Sequence, residues 1–184
     1  MIKTICVDPG HGMSNRRSGR YDPGAVHDED GVRFEEATIA LKYGLSLRDE
    51  LRSRGLTVFM TRDDATDHAP VGQRAANAKK MGCEMLISLH LNDFDDDSAN
   101  GGEVLYGDPP DKALAERLQA ALLSVTGLRD RKVKHRPDLA VLKFAGPAAL
   151  IELGFIANDR DRQILLNPAT RVEVCRAIAD VVTA

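Results

Sequence analysis

Short apolar runs alternate with longer segments of helical periodicity along most of the chain. Six apolar runs predict buried strands, at residues 2–7, 56–60, 85–89, 103–106, 139–144 and 148–153. Four segments with helical spacing or a high alanine content predict helices, at residues 36–54, 71–81, 112–125 and 168–182. Strands that alternate with helices of this length predict an α/β fold, with a mostly parallel, twisted sheet of about six strands and helices on both faces.

Composition agrees with a single folded domain and narrows the functional classes. The chain has 184 residues, no internal repeat and no linker-like segment, so we expect residues 1–184 to form one domain. The net charge of −3 disfavours a nucleic-acid or membrane-surface partner, and the 4% aromatic content disfavours a base-stacking surface. The widely spaced Cys6, Cys83 and Cys175 predict buried free thiols rather than a disulfide framework.

Four polar side chains stand out at the ends of predicted elements. His11 follows the first strand, His90 and Glu152 interrupt two later apolar runs, and the pair Glu35-Glu36 opens the first long helix. Ligands bind at the carboxyl ends of strands in open α/β sheets, so we expect these residues to meet. Two histidines and one glutamate form a typical catalytic zinc set, and a further carboxylate nearby could accept a proton from water.

Each of these residues also has a purely structural interpretation. A histidine after a strand is often a loop residue, and a glutamate at a helix start is often a capping carboxylate. Glu152 is harder to explain in this way, because an unpaired carboxylate inside a buried strand needs a partner or a function. The HExxH motif is absent, which excludes a thermolysin-type protease.

Seven pieces of the sequence, in the same order along the chain, resemble the zinc-dependent N-acetylmuramoyl-L-alanine amidases of amidase family 3. They are VDPGHG (7–12), a glutamate that opens a long helix, TR (61–62), R-AAN (74–77), ISLHLN (87–92), GGEVLY (101–106) and ALIELGFIAN (149–158). The resemblance implies Zn²⁺ ligands at His11, Glu36 and His90, and a catalytic glutamate at Glu152. The family pattern counts back to Glu36 rather than Glu35 from both Leu41 and Gly55.

The resemblance implies a peptidoglycan hydrolase that cleaves the amide between N-acetylmuramic acid and the L-alanine of the stem peptide. Two alternatives remain: a zinc peptidase that acts on another amide of the stem, and a non-catalytic wall-binding domain of the same fold. We expect a monomer that acts on the cell wall, in the periplasm or outside the cell, with peptidoglycan or muropeptides as its substrate. No signal peptide or membrane span is visible, so an endolysin-like protein would stay in the cytoplasm until release.

Several charged segments have no assigned role. The basic run at residues 129–136 is either a surface loop or a contact for the carboxylates of the stem peptide. The acidic loop at residues 93–97 is expected to be solvated, and the arginine-rich segment with Arg16, Arg17 and Arg20 predicts no particular contact. Arg74 and Asn77 are expected to hydrogen-bond neighbouring loops.

Overall fold

The structure is a computed structural model, and it describes residues 2–14, 20–94 and 97–184. The strands are β1 (Thr4–Pro9), β2 (Val26–Glu29), β3 (Val32–Glu35), β4 (Thr57–Met60), β5 (Met85–Asn92), β6 (Gly102–Tyr106), β7 (Asp130–His135) and β8 (Ala148–Phe155). The helices are α1 (Glu36–Ser53), α2 (Arg74–Lys80), α3 (Lys112–Thr126), α4 (Asp159–Leu166) and α5 (Pro168–Thr183). Arg16, Arg17, Asp95 and Asp96 lie outside the described residues.

Six strands form one twisted sheet in the order β4-β1-β5-β8-β6-β7. All neighbouring pairs are parallel except β6 and β8, which run antiparallel. The remaining two strands, β2 and β3, form a separate antiparallel hairpin that leads directly into α1. The predicted α/β fold with a mostly parallel sheet of six strands is therefore confirmed.

Side chains alternate between the two faces of the sheet along each strand, and they contribute to two hydrophobic clusters, one on each face. Ile5 and Val7 of β1 belong to the larger cluster, to which α1, α3 and α5 contribute their buried faces. Cys6 points to the opposite face, where α2 and a short 3-10 turn, Val141–Lys143, supply the cover. Helical segments therefore lie on both faces, and all three cysteines are buried and free, as expected.

The strand predicted at residues 139–144 is wrong. This apolar segment forms the 3-10 turn Val141–Lys143 and adds no strand to the sheet. Its side chains are buried in the smaller hydrophobic cluster. A continuous apolar run marks burial but does not distinguish a buried strand from a buried turn. The sixth strand of the sheet is instead β7, which coincides with the basic run, and its charges conceal the strand pattern.

The topology brings one edge of the sheet to the start of α1. The parallel strands β1, β5 and β8 all end at this edge, and the strand register pairs Asp8 with Ser88 and His90 with Glu152. On the antiparallel side, Glu103 of β6 is opposite Glu152. A row of polar side chains therefore crosses one face of the sheet at its carboxyl end. Within the described residues, no helix has the length and apolar character that a membrane span requires.

Candidate metal centre

Three of the predicted site residues meet at this edge of the sheet. His11 lies in the loop after β1, Glu36 is the first residue of α1, and His90 belongs to β5. One ligand atom from each residue lies within 4.8 Å of the other two. The structure places Glu35 elsewhere, because its carboxylate accepts hydrogen bonds from Arg33 and Tyr21.

The Glu36 carboxylate lies between the two imidazole rings. Its Oε2 is 3.1 Å from His11 Nε2, and its Oε1 is 2.9 Å from His90 Nδ1. The backbone N–H groups of Ala25 and Leu91 also donate to these oxygens, each at 2.9 Å. Burial alone would raise the pKa of Glu36, but the hydrogen bonds and charges of the two histidines hold that pKa well below its usual value.

Asp22 orients the His11 ring. Its Oδ2 lies 2.9 Å from His11 Nδ1, and it also accepts a hydrogen bond from the Ser14 hydroxyl. The Gly24 N–H donates to the other oxygen, Oδ1, so the carboxylate is fixed at both ends. Nε2 is therefore the nitrogen that faces Glu36, the arrangement by which a second carboxylate commonly orients a metal-binding histidine.

Two glycines allow the close approach of these side chains. A Cβ on Gly10 would lie 2.3 Å from Cε1 of His90, and a Cβ on Gly24 would lie 2.5 Å from Oε2 of Glu36. Gly24 also has a φ of 69°, in the left-handed region that disfavours residues with a side chain. A larger residue at either position would displace a site side chain.

Glu152 lies beside the three residues and has an unusual environment. Its Oε2 is buried and has no hydrogen-bond partner among the described residues. Burial is the largest cause that raises the pKa of Glu152. His90 opposes this effect, the negative charges of Glu36 and Glu103 add to it, and the resulting pKa is about 7. Such a carboxyl group can both accept and release a proton near neutral pH.

Sequence reasoning assigned no role to Glu103, although it lies within the GGEVLY motif. Its carboxylate accepts from Arg131 Nε at 2.8 Å and from Lys134 Nζ at 2.6 Å, and both cations belong to the basic run. Lys132 and Arg136 of the same run pair with Asp130 and Asp138. Much of the basic charge is therefore balanced within β7 and its neighbours, and contact with the stem peptide stays a prediction.

A cavity of about 330 Å³ opens beside the two histidines. It is lined by Asp8, His11, Ser14, Asp22, Val71, Arg74, His90 and Val141. Val71 and Val141 are the apolar residues of this lining, and the other six are polar or charged. A small polar molecule in this cavity would therefore meet the imidazole rings directly.

The donor set is suitable for a transition-metal ion. Two imidazole nitrogens and one carboxylate oxygen are the ligands of many catalytic zinc sites, which keep a further position open. A second group of donors, His27, Glu29 and Asp159, also comes together. There, however, Arg162 already pairs with both carboxylates, so a cation is present among the donors.

The chain belongs to amidase family 3. The model of this family, described as N-acetylmuramoyl-L-alanine amidase, matches residues 5–184. Among curated relatives, the probable cell wall amidase LytH of Staphylococcus saprophyticus is 32% identical over 178 residues, which are 97% of this chain and 56% of the relative. The germination-specific N-acetylmuramoyl-L-alanine amidase of Bacillus subtilis is 28% identical, over 96% of this chain and 76% of the relative. The chain thus spans little more than half the length of the staphylococcal relative.

Solved structures agree with this assignment. The catalytic domain of CwlV, an N-acetylmuramoyl-L-alanine amidase from Bacillus (Paenibacillus) polymyxa, superposes with a TM-score of 0.87 at 27% identity. The match covers 99% of this chain and 97% of that domain. CwlD of Clostridioides difficile, solved with the lipoprotein GerS, gives a TM-score of 0.84 at 28% identity, over 98% and 96% of the two chains.

The His11 environment predicts how the stability of the metal-free protein depends on pH. Burial would lower the pKa of His11, but Glu36 and Asp22 outweigh burial and raise the pKa to about 9. Because the folded pKa is higher than the unfolded one, protonated His11 stabilises the folded state. This contribution to stability is fully present below the unfolded pKa of roughly 6.5 and is lost as the pH rises through 9. We expect the free energy of unfolding to fall by roughly 1–3 kcal/mol between pH 7 and 9.5, measured by urea titration with a chelator present.

The control is His11→Asn. His11 has a φ of 61°, and asparagine tolerates this left-handed backbone better than most residues. The variant cannot titrate at this position, so its stability should change much less over the same pH range. Equal slopes for the two proteins would show that His11 does not carry the raised pKa.

Proposed function

We propose that this chain hydrolyses the amide bond between N-acetylmuramic acid and L-alanine in peptidoglycan, with zinc as its cofactor. His11, Glu36 and His90 would hold the metal, and Glu152 would transfer protons. The observation that carries the proposal is that ligand atoms of His11, Glu36 and His90 lie within 4.8 Å of one another. They lie next to a buried Glu152 oxygen that has no hydrogen-bond partner in the described ranges. Membership of amidase family 3 supports the bond type.

The metal, when bound, acts as a Lewis acid that polarises the scissile carbonyl and makes water more acidic. The protein supplies the side chains that would hold the metal, and it keeps them at fixed positions. Glu36 is held by two backbone N–H groups, and Asp22 fixes the ring of His11, so little reorganisation is needed on binding. Substrate enters through the cavity beside the two histidines.

Glu152 has the properties of the proton-transfer residue. With a pKa of about 7, a substantial fraction of Glu152 is ionised at neutral pH and can take a proton from the attacking water. The water oxygen forms a bond with the carbonyl carbon, and the bond between this carbon and the alanine nitrogen breaks. Glu152 then returns the proton to the departing amine, which leaves the stem peptide with a free amino terminus.

The substrate indicates where the protein acts, and the site indicates its state of assembly. We propose that residues 1–184 act as one catalytic domain on the cell wall, because peptidoglycan is found there. The protein would work as a monomer, since all four site residues come from one chain. It would act in the periplasm or outside the cell, and an endolysin-like protein would reach the wall only after release.

Digestion of purified peptidoglycan tests the proposal. Mass spectrometry of the products should show stem peptides with an amino-terminal L-alanine and glycan strands that retain the free lactyl carboxyl group. A chelator should abolish this release, and added zinc should restore it. Cleavage within the stem would instead identify a peptidase, and an intact wall in the presence of zinc would identify a binding domain.

Exchange of Glu152 for glutamine should separate catalysis from metal binding. Glu152→Gln keeps the shape of the side chain but cannot accept a proton, so we expect zinc binding to persist while the rate falls by roughly 10²–10⁴. The matched control is Glu103→Gln, because Glu103 faces Glu152 across the strands but is neutralised by Arg131 and Lys134. Its rate should fall much less. A Glu152→Gln variant with near wild-type activity would contradict the proton-transfer role.

A further inference from the structure

Two arginines with almost no solvent exposure hold the loop that carries His11. Arg62 is 2% exposed and Arg74 is 3% exposed. Together they donate to three successive backbone carbonyls, those of Pro9, Gly10 and His11. Carbonyl groups that point inward from a loop normally need such donors, because they are shielded from water.

Arg62 also connects this loop to helix α1. Its Nη2 donates to the carbonyl of Gly10 and to the carbonyl of Ala37, both at 2.7 Å. Gly10 immediately precedes His11, and Ala37 immediately follows Glu36. One guanidinium group therefore ties together the backbone positions next to two of the three donor residues.

Arg74 holds the same loop from the other side. Its Nη2 donates to the His11 carbonyl at 2.6 Å, and its Nη1 forms a buried ion pair with Asp8 at 2.8 Å. Asp8 is in turn fixed by the hydroxyl groups of Thr61 and Ser88, both at 2.6 Å. The structure thus confirms that Arg74 bonds a neighbouring loop, whereas Asn77 makes no such side-chain bond within the described part of the chain.

The backbone of His11 needs this support. With a φ of 61°, His11 adopts a left-handed conformation that residues with a side chain disfavour. The carbonyls on both sides of this strained residue are held by the two arginines. Release of either carbonyl would let the loop relax and would move the imidazole away from Glu36.

We propose that Arg62 and Arg74 are positioning residues of the metal centre, which together fix the backbone of His11 and its separation from Glu36. The inference rests on the metal centre of the proposed function. Neither arginine is a ligand of the metal in this role. They act through the backbone that carries two of the ligands.

The charge state of Arg62 supports a geometric role. Within the described residues it forms no ion pair, and its guanidinium donates only to backbone carbonyls. Burial, together with the charge of Arg74, lowers the pKa of Arg62 to about 10, so it stays protonated at neutral pH. A buried cation without a carboxylate partner is unfavourable, and lysine cannot reproduce the planar, forked donor geometry that this position uses.

Lysine substitutions test the proposal with a measurement that a purely structural role would not change. Arg62→Lys and Arg74→Lys keep the positive charge but lose the planar guanidinium group that donates to several carbonyls at once. We expect each variant to bind zinc about tenfold or more weakly, as measured by competition with a chromogenic chelator. Arg162→Lys is the matched control. Arg162 is also 2% exposed and donates to the backbone carbonyl of Ile156. Its other hydrogen bonds go to Ala157, Glu29 and Asp159, none of which adjoins His11 or Glu36 in the sequence. Its zinc affinity should stay close to wild type, even if its stability falls.

The outcomes separate this inference from the proposed function. If the wild-type protein failed to bind zinc, the metal centre of the proposed function would itself be contradicted. Wild-type binding with unchanged affinity in the folded lysine variants would overturn only the positioning role, as would an equal loss in Arg162→Lys. Circular dichroism shows which variants fold, and either arginine variant is sufficient for the test. If neither folds while Arg162→Lys does, the arginines serve the whole fold and the proposal is overturned.

Discussion

A single buried carboxylate organises the site. Glu36 receives hydrogen bonds from two backbone N–H groups and lies against two imidazole rings, so both of its oxygens are committed. A buried carboxylate is tolerated only when groups of this kind surround it, and the rest of the local structure supplies them. Ala25, just before β2, provides one N–H, strand β5 provides the other together with His90, and the loop after β1 provides His11. Small residues keep the space around it open.

The sheet makes this meeting possible because its parallel strands end at one edge. His90 lies in β5, Glu152 lies in β8 and His11 follows β1, and these three strands are adjacent in the sheet but far apart in the sequence. The same edge receives the amino terminus of α1, whose first residue is Glu36. Backbone contacts from Arg62 and Arg74 then keep the loop after β1 in a conformation that it would not hold alone. Core packing thus determines where the elements lie, and buried hydrogen bonds determine how the candidate ligand side chains are oriented.

The sequence allowed the prediction of much of the fold and of the chemistry, for identifiable reasons. Polar residues such as His90 and Glu152 stand out because they interrupt apolar strands, and the parallel sheet follows from alternating elements. Choosing Glu36 over Glu35 required a family resemblance, because both open the same helix. Asp22 gave no signal, and Arg62 belongs to a piece of the family resemblance, TR, that implied no role for it. A loop aspartate and an arginine after a strand normally face solvent. The basic strand β7 and the apolar turn Val141–Lys143 were misassigned because charge and hydrophobicity report burial more directly than backbone conformation.

The central claim is that His11, Glu36 and His90 form one metal centre. Anomalous X-ray diffraction at the zinc absorption edge, on crystals grown with zinc, tests it most directly. We expect one strong anomalous peak, at bonding distance from His11 Nε2, a Glu36 carboxylate oxygen and His90 Nδ1. Bonds to the ion should replace the direct contacts between Glu36 and the two histidines. A zinc peak at His27, Glu29 and Asp159, with Glu36 still hydrogen-bonded to both histidines, would contradict the account.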